Sequence, residues 1–316
     1  MNLIGIMPVR NEDWCLGFTL RVALKWCDQI IVADHGCTDG SREIMESLGR
    51  DGVIVRDDRE RQWNEMEQRQ MLLATARDYG ATHIALIDAD EFLTANLLPN
   101  IRTLAAGTRS GWMLDLPLYN VRENQFQGRP ADYSKPLGEH LGLPNPFYYH
   151  ANGVWGHRWV ATAFADKPEL HWCGDTFHHR EPFGQEWRGR RSRPVSHGEG
   201  GTLHLWGASE RRLRAKHQAY RMLERLRWPN KLAMDIEYTY DPATNCESEL
   251  ARRMGVAGPW TFASLKPEWL AGYEDLMQYL HIDAVPWQED YVRSLLKIHG
   301  KDTFVGLNLF GLENEQ

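Results

Sequence analysis

Four apolar runs within the first 90 residues constrain this chain more than any other feature. They are Leu3-Ile4-Gly5-Ile6-Met7-Pro8-Val9, Gln29-Ile30-Ile31-Val32-Ala33, Gly52-Val53-Ile54-Val55 and His83-Ile84-Ala85-Leu86-Ile87. Each is rich in β-branched residues and ends in polar or charged ones. Unbroken apolar runs are what parallel strands buried on both faces require. Between them, roughly 13–27, 41–50, 64–80 and 96–106, lie stretches of helical length. Strand and helix in repeated alternation predict an α/β fold with a mostly parallel central sheet flanked by helices. In such sheets ligands bind beyond the carboxyl ends of the strands, so the residues after each run are where chemistry is expected.

The pattern changes near residue 120. From there to about 205, Gly, Pro, Trp and His dominate without a helical period, which predicts a loop-rich, partly β region. A helix is expected over about 209–227, with Ser209 as N-cap and Pro229 beyond its end. Residues 236–316 read as mostly helical, over Glu247–Met254, Pro267–Leu280 and Glu289–Gly300. Three parts are expected: 1–120, 121–235 and 236–316. Hydrophobic residues at 42% and charged residues at 25% exclude disordered, collagen-like and coiled-coil classes. No apolar run approaches the ~18 residues of a membrane-spanning helix, and Met1–Val9 is too short for a secretory signal. The five cysteines (Cys15, Cys27, Cys37, Cys173, Cys246) are odd in number and lack Cys-x-x-Cys spacing, against a zinc ribbon or disulfide framework. A soluble, cytoplasmic protein is expected, with room for peripheral attachment at the inner membrane face.

The strand ends carry Pro8-Val9-Arg10-Asn11-Glu12, then Asp34-His35-Gly36-Cys37-Thr38-Asp39-Gly40-Ser41, then Asp88-Ala89-Asp90-Glu91, with Arg69 on the helix before the last. In this order the chain resembles the family 2 glycosyltransferases, which have the GT-A fold and use nucleotide-sugar donors. Their pattern is a strand then P-x-x-N-E, a strand then D-x-G-S-T-D-G, an Arg on a helix, and a strand ending D-A-D-E. Here Cys37 replaces the usual Ser. The resemblance implies that 1–120 is the nucleotide-sugar half, 121–235 the acceptor half that completes the metal site, and 236–316 a helical extension. It places the donor, a UDP-sugar foremost, against Pro8, Arg10, Asn11, Glu12, Asp34, Gly36, Asp39, Arg69, Asp88 and Ala89. Asp34 is assigned to the base.

The chemistry accounts for these residue types. A leaving nucleoside diphosphate accumulates negative charge, and a divalent ion, Mn²⁺ or Mg²⁺, held by carboxylates would neutralise it. Asp88 and Asp90 are two residues apart on an extended chain, so both project to one face. One reaches the metal directly, and the other a ribose hydroxyl or metal-bound water. Gly36 lets the backbone turn tightly around the base.

Downstream, Trp172-Cys173-Gly174-Asp175-Thr176-Phe177-His178-His179 resembles the W-x-G-x-x-H-E segment of many bacterial members, with one residue inserted and His179 where Glu is expected. Asp175, His179 and Glu181 are the candidates for the base that an inverting transfer requires. His204 ends an apolar stretch, either as a third metal ligand or as a buried histidine bonded to a carbonyl. On the following helix, Leu213, Lys216, Tyr220 and Leu223 fall on one face, with Arg211, Arg214, Arg221 and Arg225 opposite. Lys216 therefore points inward, toward a phosphate or an acid.

Net charge is −7, yet residues 180–231 hold 13 Lys or Arg against 5 Asp or Glu. Arg188, Arg190, Trp206, Arg214 and Arg221 are accordingly expected to face an anionic acceptor. The resemblance makes a cell-surface or lipid-linked glycan the commonest kind, with DNA carrying a hydroxylated base as the alternative. The other reading of the arginines is a helix salt-bridged to the acidic remainder. A nucleotidyltransferase would need a Gly-rich loop after the first strand, and a dinucleotide oxidoreductase Gly-x-Gly-x-x-Gly there; both are absent. A non-catalytic nucleic-acid or glycan-binding module would leave the carboxylates without a purpose.

Overall fold

A computed structural model describes residues 1–59, 64–123, 147–150, 158–183, 190–244, 262–310 and 312. The predicted strands form β1 (Leu3–Val9), β2 (Gln29–Asp34), β3 (Val53–Asp57) and β4 (His83–Leu86). They pair in parallel in the order β3-β2-β1-β4. Their crossovers are α1 (Asp13–Ala23), α2 (Ser41–Ser47) and α3 (Glu65–Asp78). Asn64 caps α3 by accepting from the Met66 and Glu67 amides, while its own amide donates to Glu67 Oε1, a reciprocal N-terminal cap. Both sheet faces are covered, which is why the residues of β1, β2 and β4 are nearly all buried, whereas the edge strand β3 buries only Val53 fully.

Beyond β4 the sheet becomes mixed. The short β5 (Glu91–Leu93) leads through α4 (Leu98–Ala106) into β6 (Met113–Glu123), and then β7 (Phe147–His150) and β8 (Arg158–Ala165). β8 lies antiparallel between β4 and β6. β9 (Arg191–Ser192) and β10 (Thr202–Gly207) add to β6 in parallel. One sheet thus joins all three stretches of the chain, because β6 crosses residue 120 and β11 (Phe262–Ser264) pairs with β7.

α5 (Glu210–Arg227) begins where Ser209 accepts from the Arg212 amide, as the spacing predicts. It packs against α6 (Ala233–Thr244) and α7 (Gln288–His299) around Met222, Ile236, Tyr240, Val292 and Phe304. The helix expected over 267–280 is instead two 3₁₀ turns, Pro267–Trp269 and Glu274–Tyr279, separated by Gly272 at φ +86°. A residue with positive φ cannot continue a right-handed helix. The helix expected over Glu247–Met254 lies outside the described residues, as does Cys246. No described helix is long and apolar enough to cross a membrane.

Candidate active site

The β-sheet register decides what meets at its carboxyl edge. Val9 pairs with Asp34 and Asp34 with Asp57, so the first three strands end level. Ile6 of β1 pairs with Leu86, so the chain leaving β4 delivers Asp88 and Asp90 beside them. β10 lies between β5 and β6 and sets His204 opposite both Glu91 and Asn120.

The first two loops are knitted together. Asn11, at φ +54°, accepts from the Thr38 amide at 2.7 Å and donates to its hydroxyl. Asp34 is buried and accepts from the Cys37 amide at 2.8 Å and from Arg42 at 3.0 Å. Burial opposes its ionisation, but those donors prevail and hold its carboxyl below the usual range. Gly36 takes φ +72° in the same turn. Asp39 accepts from the amides of Asp13 and Ser41 and so serves both helix starts. Pro8 sits in the β1–β2 ladder, and Ala89 is buried with its carbonyl facing the Cys15 thiol. The Arg10 guanidinium lies 5.1 Å from the Trp287 ring and 5.2 Å from that of Tyr291, while its charge also acts on His35 of this loop.

The acidic motif is surrounded by fixed cations. Asp88 accepts from Arg69 at 3.1 Å and Arg180 at 2.9 Å, one guanidinium on each carboxylate oxygen. Arg180 also donates to the carbonyls of Leu86 and Ala161 and comes within 2.7 Å of Glu91. Burial would raise the Asp88 carboxyl, yet the two arginines bring it below its ordinary value. Glu91 goes the other way, because burial outweighs Arg180. Asp90 is buried and bonds Lys216 Nζ at 2.8 Å. Burial opposes its ionisation, but Lys216 and His204 hold it far below the carboxylate range. Glu12, next to this pair, is pushed up to about 7 by desolvation, with Lys216 opposing and Asp90 reinforcing.

His204 tests the expected metal. Its Nδ1 is 3.0 Å from Asn120 Oδ1, an acceptor, so Nδ1 carries a hydrogen and Nε2 is the nitrogen turned to the acidic motif. Nε2 faces Asp90 Oδ1 at 3.5 Å. Nitrogen and oxygen so placed share a cation between them, either a proton or a divalent ion. A histidine oriented through its other nitrogen, paired with a carboxylate, is a donor pair that suits Mn²⁺ better than the oxygen-preferring Mg²⁺. Among the described residues no three of His, Cys, Asp and Glu converge on a metal position, so oxygens from a ligand or water would complete the shell. Asp88 is less suited, since both its oxygens are engaged by arginines.

The three candidate bases are each engaged by a different partner. Asp175 pairs with Arg227 at the end of α5, His179 stacks on Phe183 at 4.4 Å, and Glu181 pairs with Arg191. The expected basic stripe is also corrected. Arg221 is fully buried and bonds Glu237 at 2.9 Å, because α6 and α7 cover the face the helical period assigned to solvent. Trp206 is buried and donates to His217 Nε2 at 3.1 Å. Arg190, Arg193 and Arg214 remain exposed, and Arg188 lies outside the described residues. Arg180 was missed. Its only sequence signal is its place beside the His178-His179 pair, and its importance comes from partners some 90 residues away, such as Asp88 at a separation of 92.

The family model for Glycosyl transferase family 2 matches residues 6–160, and this stretch is a glycosyltransferase family 2 domain. The fold is accordingly of the GT-A kind, and the protein is an enzyme that transfers a sugar from a nucleotide-sugar donor. Solved structures similar to the chain include TarS of S. aureus in complex with UDP-GlcNAc, at 12% identity and a TM-score of 0.40, covering 100% of this chain and 93% of that one. A mannosyltransferase from Pyrobaculum calidifontis with GDP-Man and Mn²⁺ matches at 14% identity and a TM-score of 0.36, over 94% and 74% of the two chains. Glucosyl-3-phosphoglycerate synthase from Mycobacterium tuberculosis matches at 17% identity and a TM-score of 0.27, over 37% and 42%.

Proposed function

We propose a divalent-metal-dependent, inverting transfer of a sugar, from a UDP-linked donor foremost, to a hydroxyl of an anionic glycan or lipid-linked acceptor. The observation that carries this reading is the convergence of Asp90, His204 and Lys216 at one edge of the sheet. Asp90 and His204 would hold Mn²⁺ or Mg²⁺, which supplies charge neutralisation on the departing diphosphate. Lys216, already fixed by Asp90, adds a positive charge that needs no reorganisation as the diphosphate leaves.

Asp34, with Asn11, Gly36 and Asp39 shaping its loop, would receive the base and ribose. Arg69 and Arg180 keep Asp88 ionised and oriented, leaving it to accept from a ribose hydroxyl or metal-bound water. Exposed Arg193, whose guanidinium lies 5.1 Å from the Trp159 ring, and Arg190 beside it offer charge to the acceptor. The cytoplasm is the proposed compartment, in keeping with four free cysteines among the described residues.

Thermal shift with UDP, GDP, CDP and dTDP, each with and without Mn²⁺, tests the reading. One diphosphate is expected to raise the melting temperature, and more so with the metal. No shift with any of them, at millimolar nucleotide and metal, would overturn it.

A further inference from the structure

We propose that His178 is the general base that takes the proton from the acceptor hydroxyl. The proposal rests on the transfer reading above and adds a residue to it.

Two separate routes tie His178 to the acidic motif. Its backbone amide donates to Glu65 Oε2 at 2.8 Å, Glu65 Oε1 accepts from Arg69 at 3.0 Å, and Arg69 bonds Asp88. On the other side its ring meets Tyr220 edge-on at 5.1 Å. Tyr220 is one helical turn after Lys216, the lysine bonded to Asp90, so the two project from the same side of α5. His178 itself has φ +60°, an uncommon backbone state for a residue with a side chain.

The hydrogen bonds then define which nitrogen is basic. Tyr240 Oη donates its one hydrogen to Glu224 Oε1 at 2.6 Å. His178 Nε2, 3.1 Å from the same Oη, must therefore be the donor in that contact. In the neutral imidazole the lone pair is left on Nδ1. No described residue bonds Nδ1.

The surroundings suit a base. Desolvation lowers the imidazole pKa most, Glu65 on α3 and Glu224 on α5 raise it, Lys216 on α5 lowers it, and Asp88 raises it. The balance keeps the ring neutral, while Glu224, reached through Tyr240, steadies the imidazolium once formed. In the step itself the acceptor oxygen bonds to the anomeric carbon. The bond from that carbon to the diphosphate oxygen breaks, and its electron pair leaves with the nucleoside diphosphate. The hydroxyl proton passes to Nδ1 and then to solvent.

The test compares His178→Asn with the wild type. Asn tolerates positive φ better than most residues but accepts no proton at neutral pH. Binding of UDP and GDP with Mn²⁺, followed by calorimetry, is expected to stay near the wild-type affinity, which also reports a folded site. Release of nucleoside diphosphate from UDP-GlcNAc, UDP-glucose or GDP-mannose, with water as acceptor, is expected to fall about a hundredfold or more. Added imidazole is expected to restore part of that loss. Tyr240→Phe, which leaves Nε2–H without its acceptor, is expected to show a smaller fall with unchanged nucleotide binding. A His178→Asn enzyme that binds nucleotide and turns over like the wild type overturns the role of His178 alone, as does a loss that imidazole never rescues. A wild type that binds no nucleoside diphosphate overturns the transfer reading, and the base with it.

Discussion

Lys216 and Asp90 stand 126 residues apart in the chain and are joined by a 2.8 Å hydrogen bond at the edge of the sheet. Both are largely buried, so each is the other's compensation for lost water. The pair locks α5 against the end of β4 and leaves one Asp90 oxygen turned toward His204. The same contact therefore serves the fold and the proposed site, and variants are needed to separate the two.

Asp90→Asn leaves Lys216 charged and unpaired. Unfolding free energy is expected to drop by about 3–5 kcal/mol, and turnover by on the order of a thousandfold, as expected for losing ~4 kcal/mol of transition-state stabilisation. Adding Lys216→Met to Asp90→Asn removes the stranded charge. Stability should then recover most of the loss while turnover stays low. Urea unfolding and diphosphate release, measured on the single and double variants, check both. Recovery of turnover along with stability would make the pair structural only.

Asp34 accepts from the Cys37 amide and from Arg42, so it organises its own loop before any nucleotide arrives. Asp34→Ala orphans the amide and is expected to cost the apo protein about 1–3 kcal/mol. Asp34→Asn keeps an acceptor for that amide and should cost less, yet both should weaken nucleotide binding. Equal affinity in Asp34→Ala and the wild type would remove Asp34 from the binding site.

The raised Glu12 carboxyl has a consequence for stability. Its folded pKa is about 7 against an ordinary 4.5, so folding favours the protonated form. Below pH 4.5 both states hold the proton and there is no penalty. As pH rises from 4.5 to about 7 the unfolded chain ionises first, and stability from this group declines. Glu12→Gln keeps an acceptor for Trp14 Nε1 and cannot ionise. The variant should match the wild type near pH 4.5 and exceed it at pH 7.5 by about 3 kcal/mol, in denaturant unfolding across the series. A gap independent of pH would mean that Glu12 ionises normally.

The parallel half of the sheet was legible because strands buried on both faces leave an unmistakable apolar run, and the polar residues ending each run mark the ligand edge. Asp34, Asp88 and Asp90 were placed at that edge in this way, and the inward placement of Lys216 followed from helical period. Period alone misplaced Arg221, because it assumes one buried face, whereas α5 is enclosed by β10 on one side and by α6 and α7 on others. The break at Gly272 was visible as a glycine but was outvoted by its apolar neighbours. Arg180 carries no pattern of its own, and the W-x-G-x-x-H-E resemblance that covers His178 gave it no role. Their contacts with Asp88, Tyr240 and Glu65 join partners that only the fold brings near.

Arg221 separates surface charge from buried charge in the proposed acceptor region. Arg221→Glu sets a carboxylate against Glu237 in a buried position, so unfolding free energy should fall by about 3–5 kcal/mol. Arg193→Glu and Arg214→Glu act on exposed groups, which have only Asp115 and Glu210 as ion partners among the described contacts, and should change stability far less. A polyanionic acceptor would feel these two variants directly. Filter binding on duplex and single-stranded DNA, between about 50 and 200 mM salt, gives the electrostatic part of any affinity as its salt slope. Binding that falls steeply with salt, and weakens in Arg193→Glu and Arg214→Glu, would support a nucleic-acid acceptor. If no binding is seen at the lowest salt, DNA is removed and a charged glycan is the acceptor to pursue, because the exposed arginines would then need only the few phosphates or carboxylates that such a glycan carries.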